Sequence, residues 1–140
     1  LGTQQINILA HNTLRIPGHF HVTVVGGTTL AFMGLTYYVV PLIFRREFYM
    51  RPLVRIQPYV FGAGISMMSV GMSFAGSYGV ARRTWDADAG ASLPAGANVM
   101  LGVLGVGGTL AFIGLLMFLL LTVAAVFFGK SNEGRAMTAW

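Results

Sequence analysis

The chain has 140 residues, 55% of them hydrophobic and only 9% charged, with 19 glycines and no cysteine. That balance identifies an integral membrane protein, and the missing thiols exclude a disulfide framework, a thiolate metal centre and a covalent c-type haem attachment on this chain. The formal net charge of +5 does not point to nucleic acid, because the basic residues sit in loops between apolar stretches and not along a soluble face.

In chain order, Leu1 to Ala10 lack a basic flank, an apolar centre and a small-residue cleavage site, so no signal peptide is expected. A first residue other than methionine points to a processed chain or to one piece of a larger polypeptide. Crossing a hydrocarbon core of roughly 30 Å takes about 20 apolar residues, and three stretches are long enough: residues 18–44, 53–79 and 97–128. Their apolar runs are continuous and do not alternate, which argues for an all-α membrane segment and against a barrel. The third exceeds a simple span and is expected to tilt or to project. Between the first two spans, FRREFYMRPLVR sets Arg45, Arg46, Arg51 and Arg55 against Glu47, whereas VARRTWDADAG balances Arg82 and Arg83 with Asp86 and Asp88. By the excess of Lys and Arg, the first loop is expected on the cytoplasmic side and the second outside. Three spans then return the tail, with Lys130 and Arg135 against Glu133, to the inside.

All three histidines lie in HNTLRIPGHFH, residues 11–21, where the first span begins. Pro17 suits the first turn of a helix and disfavours helical angles at Ile16, so His19 and His21 belong to the opening turns. Residues two apart on a helix are rotated by roughly 200°, so the two rings point to opposite sides and cannot close on one ion. Two separate large partners, each taking an axial imidazole, satisfy that geometry, and two haems meet the description. The plainer alternative is that each ring bonds a carbonyl of a neighbouring helix or faces interfacial water.

The string HNTLRIPGHFH, followed by an apolar helix ending MGLTYYVVPL, resembles the tenth helix of subunit I of the haem-copper oxygen reductases (cytochrome c oxidase), particularly their B-type branch. The likeness continues through a helix ending SFAGSYGVARR and a further span, from about Ile8 to Phe128. It implies a C-terminal portion, roughly the last quarter, of a catalytic subunit built as a bundle of twelve or more helices. It also implies that His19 is the axial ligand of a high-spin haem where oxygen is reduced and that His21 is an axial ligand of a low-spin haem, with Phe20 between them. His11 and Asn12 would lie above the haem propionates, and Arg82 and Arg83 would bind those carboxylates by charge-assisted hydrogen bonds. Asn12 stands where the A-type branch has an acid and binds magnesium, and a neutral amide is a poorer ligand for a hard dication. Arg15 replaces an expected bulky apolar residue, and Asn7 stands where some relatives carry an acid. The copper at the oxygen site would be ligated by histidines outside this chain. The implied partners are therefore the remaining helices of subunit I, subunit II, cytochrome c or quinol as electron donor, O2 and the lipid bilayer. The implied activity is reduction of O2 to water with proton pumping in the cell membrane. A nitric oxide reductase shares the architecture but usually reads His-Gly-His, and a non-catalytic scaffold or transporter subunit is the alternative of another class.

Packing signals complete the reading. In the second span, Gly62, Ser66, Ser69, Ser73 and Gly76 recur at spacings of four and three, a stripe of small residues suited to close helix approach. Met67, Met68 and Met72 fall beside or opposite it as filler. Gly102, Gly105, Gly108 and Thr109 predict a second contact on the third span, and Tyr37 and Tyr38 read as interfacial anchors.

Overall fold

The computed structural model describes residues 3–83 and 93–131; Asp86, Asp88, Glu133 and Arg135 lie outside them. A short helix α1 (Gln4–Ala10) leads to α2 (Arg15–Phe20), a π-helical segment (His21–Thr28) and α3 (Thr29–Phe44), which together make the first span. The second span is α4 (Arg51–Ser77) and the third is α5 (Ala95–Phe128). Each span starts two or three residues earlier than the apolar run alone suggests, and the second stops at Ser77, where Gly79 (φ +86°) turns the chain away.

Helix α4 lies between the other two spans, and glycines on both of its sides make that possible. Towards α5, a methyl group at Gly71 would lie 2.7 Å from the Met100 carbonyl oxygen, and one at Gly114 would lie 2.7 Å from Phe61 Cα. Gly64 meets Leu110 and Ala111, and Gly107 meets Met67 and Met68, so the two helices run antiparallel in constant register with backbones almost touching. Towards the first span, Gly18 sits on Ser69 and Ser73, Gly76 on Arg15 and Gly26 on Ile65. In lipid such approach supplies the dispersion contacts and weak hydrogen bonds that hydrophobic burial cannot.

Two packing expectations need correction. The stripe Gly62–Gly76 is used only in part, since Ser69 and Gly76 are buried but Ser66 is exposed. On α5 the contact face is Gly107, Ala111 and Gly114; Gly102 and Gly105 have open space where a methyl would go. A run of closely spaced glycines offers several small faces, and the partner's knobs at Phe61 and Met68 select among them.

Tyr37 also differs from expectation. It is 5% exposed and donates its hydroxyl proton to Gln57 Oε1 at 2.8 Å, while Tyr38 is half exposed. Gln57, fully buried, donates through Nε2 to the Gly114 carbonyl at 2.8 Å and lies 3.4 Å from Met33 Sδ. This one buried amide ties all three spans together. Tyr37 further packs edge-on against Phe48 and Phe118, and the cluster Met33, Phe61 and Ala111 fills the space above.

The spans' ends are tied in two places. At one end, Arg46–Glu47 pairs antiparallel with Lys130–Ser131, and Arg46 Nη1 donates to the Phe127 carbonyl at 2.9 Å, satisfying an orphan acceptor at the end of α5. The first loop and the start of the tail thus share one end of the bundle. At the other end, Thr13 and Ala81 form an antiparallel bridge, Leu14 N donates to the Val80 carbonyl at 3.0 Å and Arg82 N donates to the Asn12 carbonyl at 2.7 Å.

Candidate functional site

The site is organised by how the first span begins. Asn12 takes a left-handed backbone (φ 60°), a conformation Asn tolerates better than most residues, and this turns α1 into α2. Gly18 then lets α2 settle on α4, which fixes the rotation of the turn that carries His19, Phe20 and His21. The backbone stays right-handed through this turn (Phe20 φ −62°, ψ −42°; His21 φ −66°, ψ −38°), so the two histidines project to opposed sides.

The helix does not continue as a regular α-helix, contrary to the expectation from the apolar run. It widens into π-helical winding from His21 to Thr28, and this change of winding is matched by side-chain hydrogen bonds to backbone carbonyls. His21 Nδ1 lies 2.7 Å from the Pro17 carbonyl oxygen, and the Thr23 hydroxyl donates to the carbonyls of His19 (3.0 Å) and Phe20 (3.3 Å). A carbonyl only accepts, so Nδ1 of His21 donates this bond, and in the neutral ring Nε2 is the nitrogen with the lone pair. That is the tautomer an imidazole needs for ligation through Nε2. His19 is exposed and its ring makes no hydrogen bond among the described residues. Phe20, 54% exposed, stands edge-on to His21 with ring centroids 6.1 Å apart.

The pairing of residues 12–14 with 80–82 brings His11 and Asn12 to the same end as Arg82 and Arg83, from which they are separated by about seventy positions in sequence. All four are exposed, and among the described residues no partner holds the imidazole of His11 or either guanidinium. Arg15 is tied to the same end, its Nη1 donating to Ser77 Oγ at 3.0 Å. Asn7 lies in α1, where its carbonyl accepts from His11 N at 2.8 Å. Among the described residues no three His, Cys, Asp or Glu side chains converge as a metal cage.

One exposed imidazole (His19) and one half-buried imidazole (His21) on opposed sides, with guanidinium groups that have no partner among the described residues at the same end, suit large anionic groups seated outside this three-span unit. Residues 1–110 match the family model described as cytochrome c and quinol oxidase polypeptide I. The chain belongs to this family. It is 32% identical to a cytochrome c oxidase subunit 1 of Thermus thermophilus over 115 residues, covering 77% of this chain and 20% of that protein. A second Thermus thermophilus cytochrome c oxidase subunit 1 is 32% identical over 73 residues, 51% of this chain and 68% of that sequence. An uncharacterized protein of Rickettsia prowazekii is 31% identical over 142 residues, covering 94% of this chain and 27% of the relative. The chain therefore spans about a quarter of the length of the Rickettsia relative and a fifth of the longer Thermus one.

As a member of the oxidase polypeptide I family, the chain has residues in its site that sequence reasoning did not single out. In the sequence Pro17 signals a helix start and nothing more, yet its carbonyl takes the bond from His21 Nδ1. Thr23 is the other: a Thr four residues after His19 is spaced to bond the His19 carbonyl.

Proposed function

We propose that this chain is the C-terminal part of the catalytic subunit of a B-type terminal oxidase, which reduces O2 to water and pumps protons. In this reading His19 ligates the iron of a high-spin haem and His21 that of a low-spin haem. The observation that carries it is the pair of imidazoles on opposed sides of one helix, His21 with its Nε2 lone pair left free by the Pro17 carbonyl. When bound, the haems supply the electron relay and, with a copper held by residues elsewhere, the redox chemistry at oxygen.

The chain's own residues perform four tasks in this scheme. His19 and His21 would offer Nε2 to the two irons, and the Nδ1–Pro17 bond keeps the His21 ring from rotating away. Phe20 fills the space between the two ligands with an apolar ring. Arg82 and Arg83 neutralise propionate carboxylates, with His11 as a further donor. The strap between Asn12 and Arg82 holds those cations over the histidine turn. This end then faces the outside of the cell membrane, and the arginine loop and the start of the tail face the cytoplasm. Subunit II, the remaining helices of subunit I and cytochrome c or quinol complete the machine.

The test is a reduced-minus-oxidised spectrum of the purified complex. Two haem populations are expected, one of which binds carbon monoxide. Oxygen uptake without comparable nitric oxide consumption favours the oxidase over a nitric oxide reductase. A colourless preparation contradicts the proposal and leaves a non-catalytic membrane scaffold.

A further inference from the structure

We propose that the end of the bundle opposite the histidines carries a binding site for the phosphate headgroup of an anionic phospholipid. A cleft of about 310 Å³ opens there, lined by Glu47, Phe48, Tyr49, Arg51, Pro52 and Lys130. It exists because the strand pair places Lys130 opposite Glu47, more than eighty residues away in sequence, while the first turn of α4 supplies Arg51.

Its charge fits an anion. Arg51 Nη2 lies 2.6 Å from Glu47 Oε2, so the only carboxylate that lines the cleft among the described residues already has a cation beside it. Lys130 is exposed and its ammonium makes no hydrogen bond or ion pair among the described residues. Arg45 and Arg55, both exposed, add to the positive field at this end, and Arg46 is committed to the α5 carbonyls. Among the described residues, five cations here face one carboxylate.

The surroundings fit a lipid better than a soluble anion. The cleft lies where Phe44, Arg51 and Phe128 end or begin the three spans, the level of a bilayer's headgroups. Tyr49 (69% exposed), Phe127 (69%) and Phe128 (76%) present aromatic rings at that level, as expected of side chains set between headgroup and acyl chain. A phosphate can pair with Lys130 and with the outer edge of Arg51, while the acyl chains run down past Phe127 and Phe128. Clusters of Lys and Arg beside a span recognise anionic lipids in this way. The site does not depend on the haem assignments above.

The experiment uses the complete membrane complex that carries this chain, mildly delipidated and reconstituted in nanodiscs of phosphatidylcholine with or without phosphatidylglycerol. Lipid retained on re-extraction is counted by native mass spectrometry. The unaltered complex is expected to retain phosphatidylglycerol. Lys130→Gln should weaken this retention roughly fivefold, and Lys130→Gln with Arg51→Gln by about 25-fold, whereas Lys130→Arg keeps it. Phosphatidylcholine retention should be the same in all four. Because Lys130, among the described residues, contributes only backbone pairing to the fold, its single substitution remains informative if the double variant fails to assemble. Unchanged phosphatidylglycerol retention in Lys130→Gln, an equal loss of both lipids, or an acidic segment of a neighbouring subunit occupying the cleft would overturn the proposal.

Discussion

Replacing His21 by Ala should abolish the low-spin haem band of the complex while carbon monoxide binding persists, and replacing His19 by Ala should do the reverse. The expectation follows from the opposed directions of the two rings: neither imidazole can substitute for the other without rotating the turn that Gly18 seats on Ser69 and Ser73. Substituting groups that merely orient a ligand costs about 10–100-fold in affinity or activity, so loss of either ligand should lower oxygen consumption by more than about 100-fold. Absorption spectra with and without carbon monoxide, together with oxygen uptake, read both effects. Survival of the low-spin band in His21→Ala, or of carbon monoxide binding in His19→Ala, would count against the assignment of that residue.

The second large effect is expected from Gly114→Ala. Its methyl would stand 2.7 Å from both Cα and N of Phe61 and 2.8 Å from Phe61 Cβ, against backbone that cannot swing aside. Overpacking of this kind costs about 1–3 kcal/mol. Pushing α5 away from α4 also stretches the bond from Gln57 Nε2 to the Gly114 carbonyl, and an interhelical hydrogen bond in lipid contributes roughly 0.6–2 kcal/mol. The Gln57 amide that accepts from Tyr37 then loses its anchor on α5. Gly108→Ala is the matched control, because its methyl would meet Met68 Sδ at 3.5 Å, an ordinary contact. Heating the two complexes while following the haem absorbance should show early loss in Gly114→Ala and a change within about 0.5 kcal/mol in Gly108→Ala. Equal stabilities would show that the α4–α5 contact does not run through Gly114.

The three spans were legible because length and continuous apolarity decide membrane crossing almost alone, and each begins within three residues of its apolar run. Faces were harder to read. Ser69, Ser73 and Gly76 do pack on the first span, but Gly64 and Gly71, on another side of the same helix, hold the more extensive contact with α5. Small residues permit approach without saying which neighbour approaches, and that choice rests on tertiary contacts. Tyr37 looked like an anchor because aromatic rings near a span's end usually are; only the pairing with Gln57, twenty residues away, shows otherwise. At the candidate site, the opposed aim of His19 and His21 followed from helical rotation, whereas the meeting of His11 and Asn12 with Arg82 and Arg83 depends on a bridge between distant segments. The π-helical winding was illegible for a different reason. It reflects a local competition in which Thr23 and the His21 ring satisfy carbonyls near the change of winding, and apolar periodicity carries no trace of it.

The most direct measurement is an electron-microscopy map of the assembled complex at a resolution that shows side-chain rings. The account predicts Nε2 of His19 and Nε2 of His21 bonded to two different haem irons, with Nδ1 of His21 still on the Pro17 carbonyl. Either ring packed against lipid, or both bound to a single ion, would contradict it.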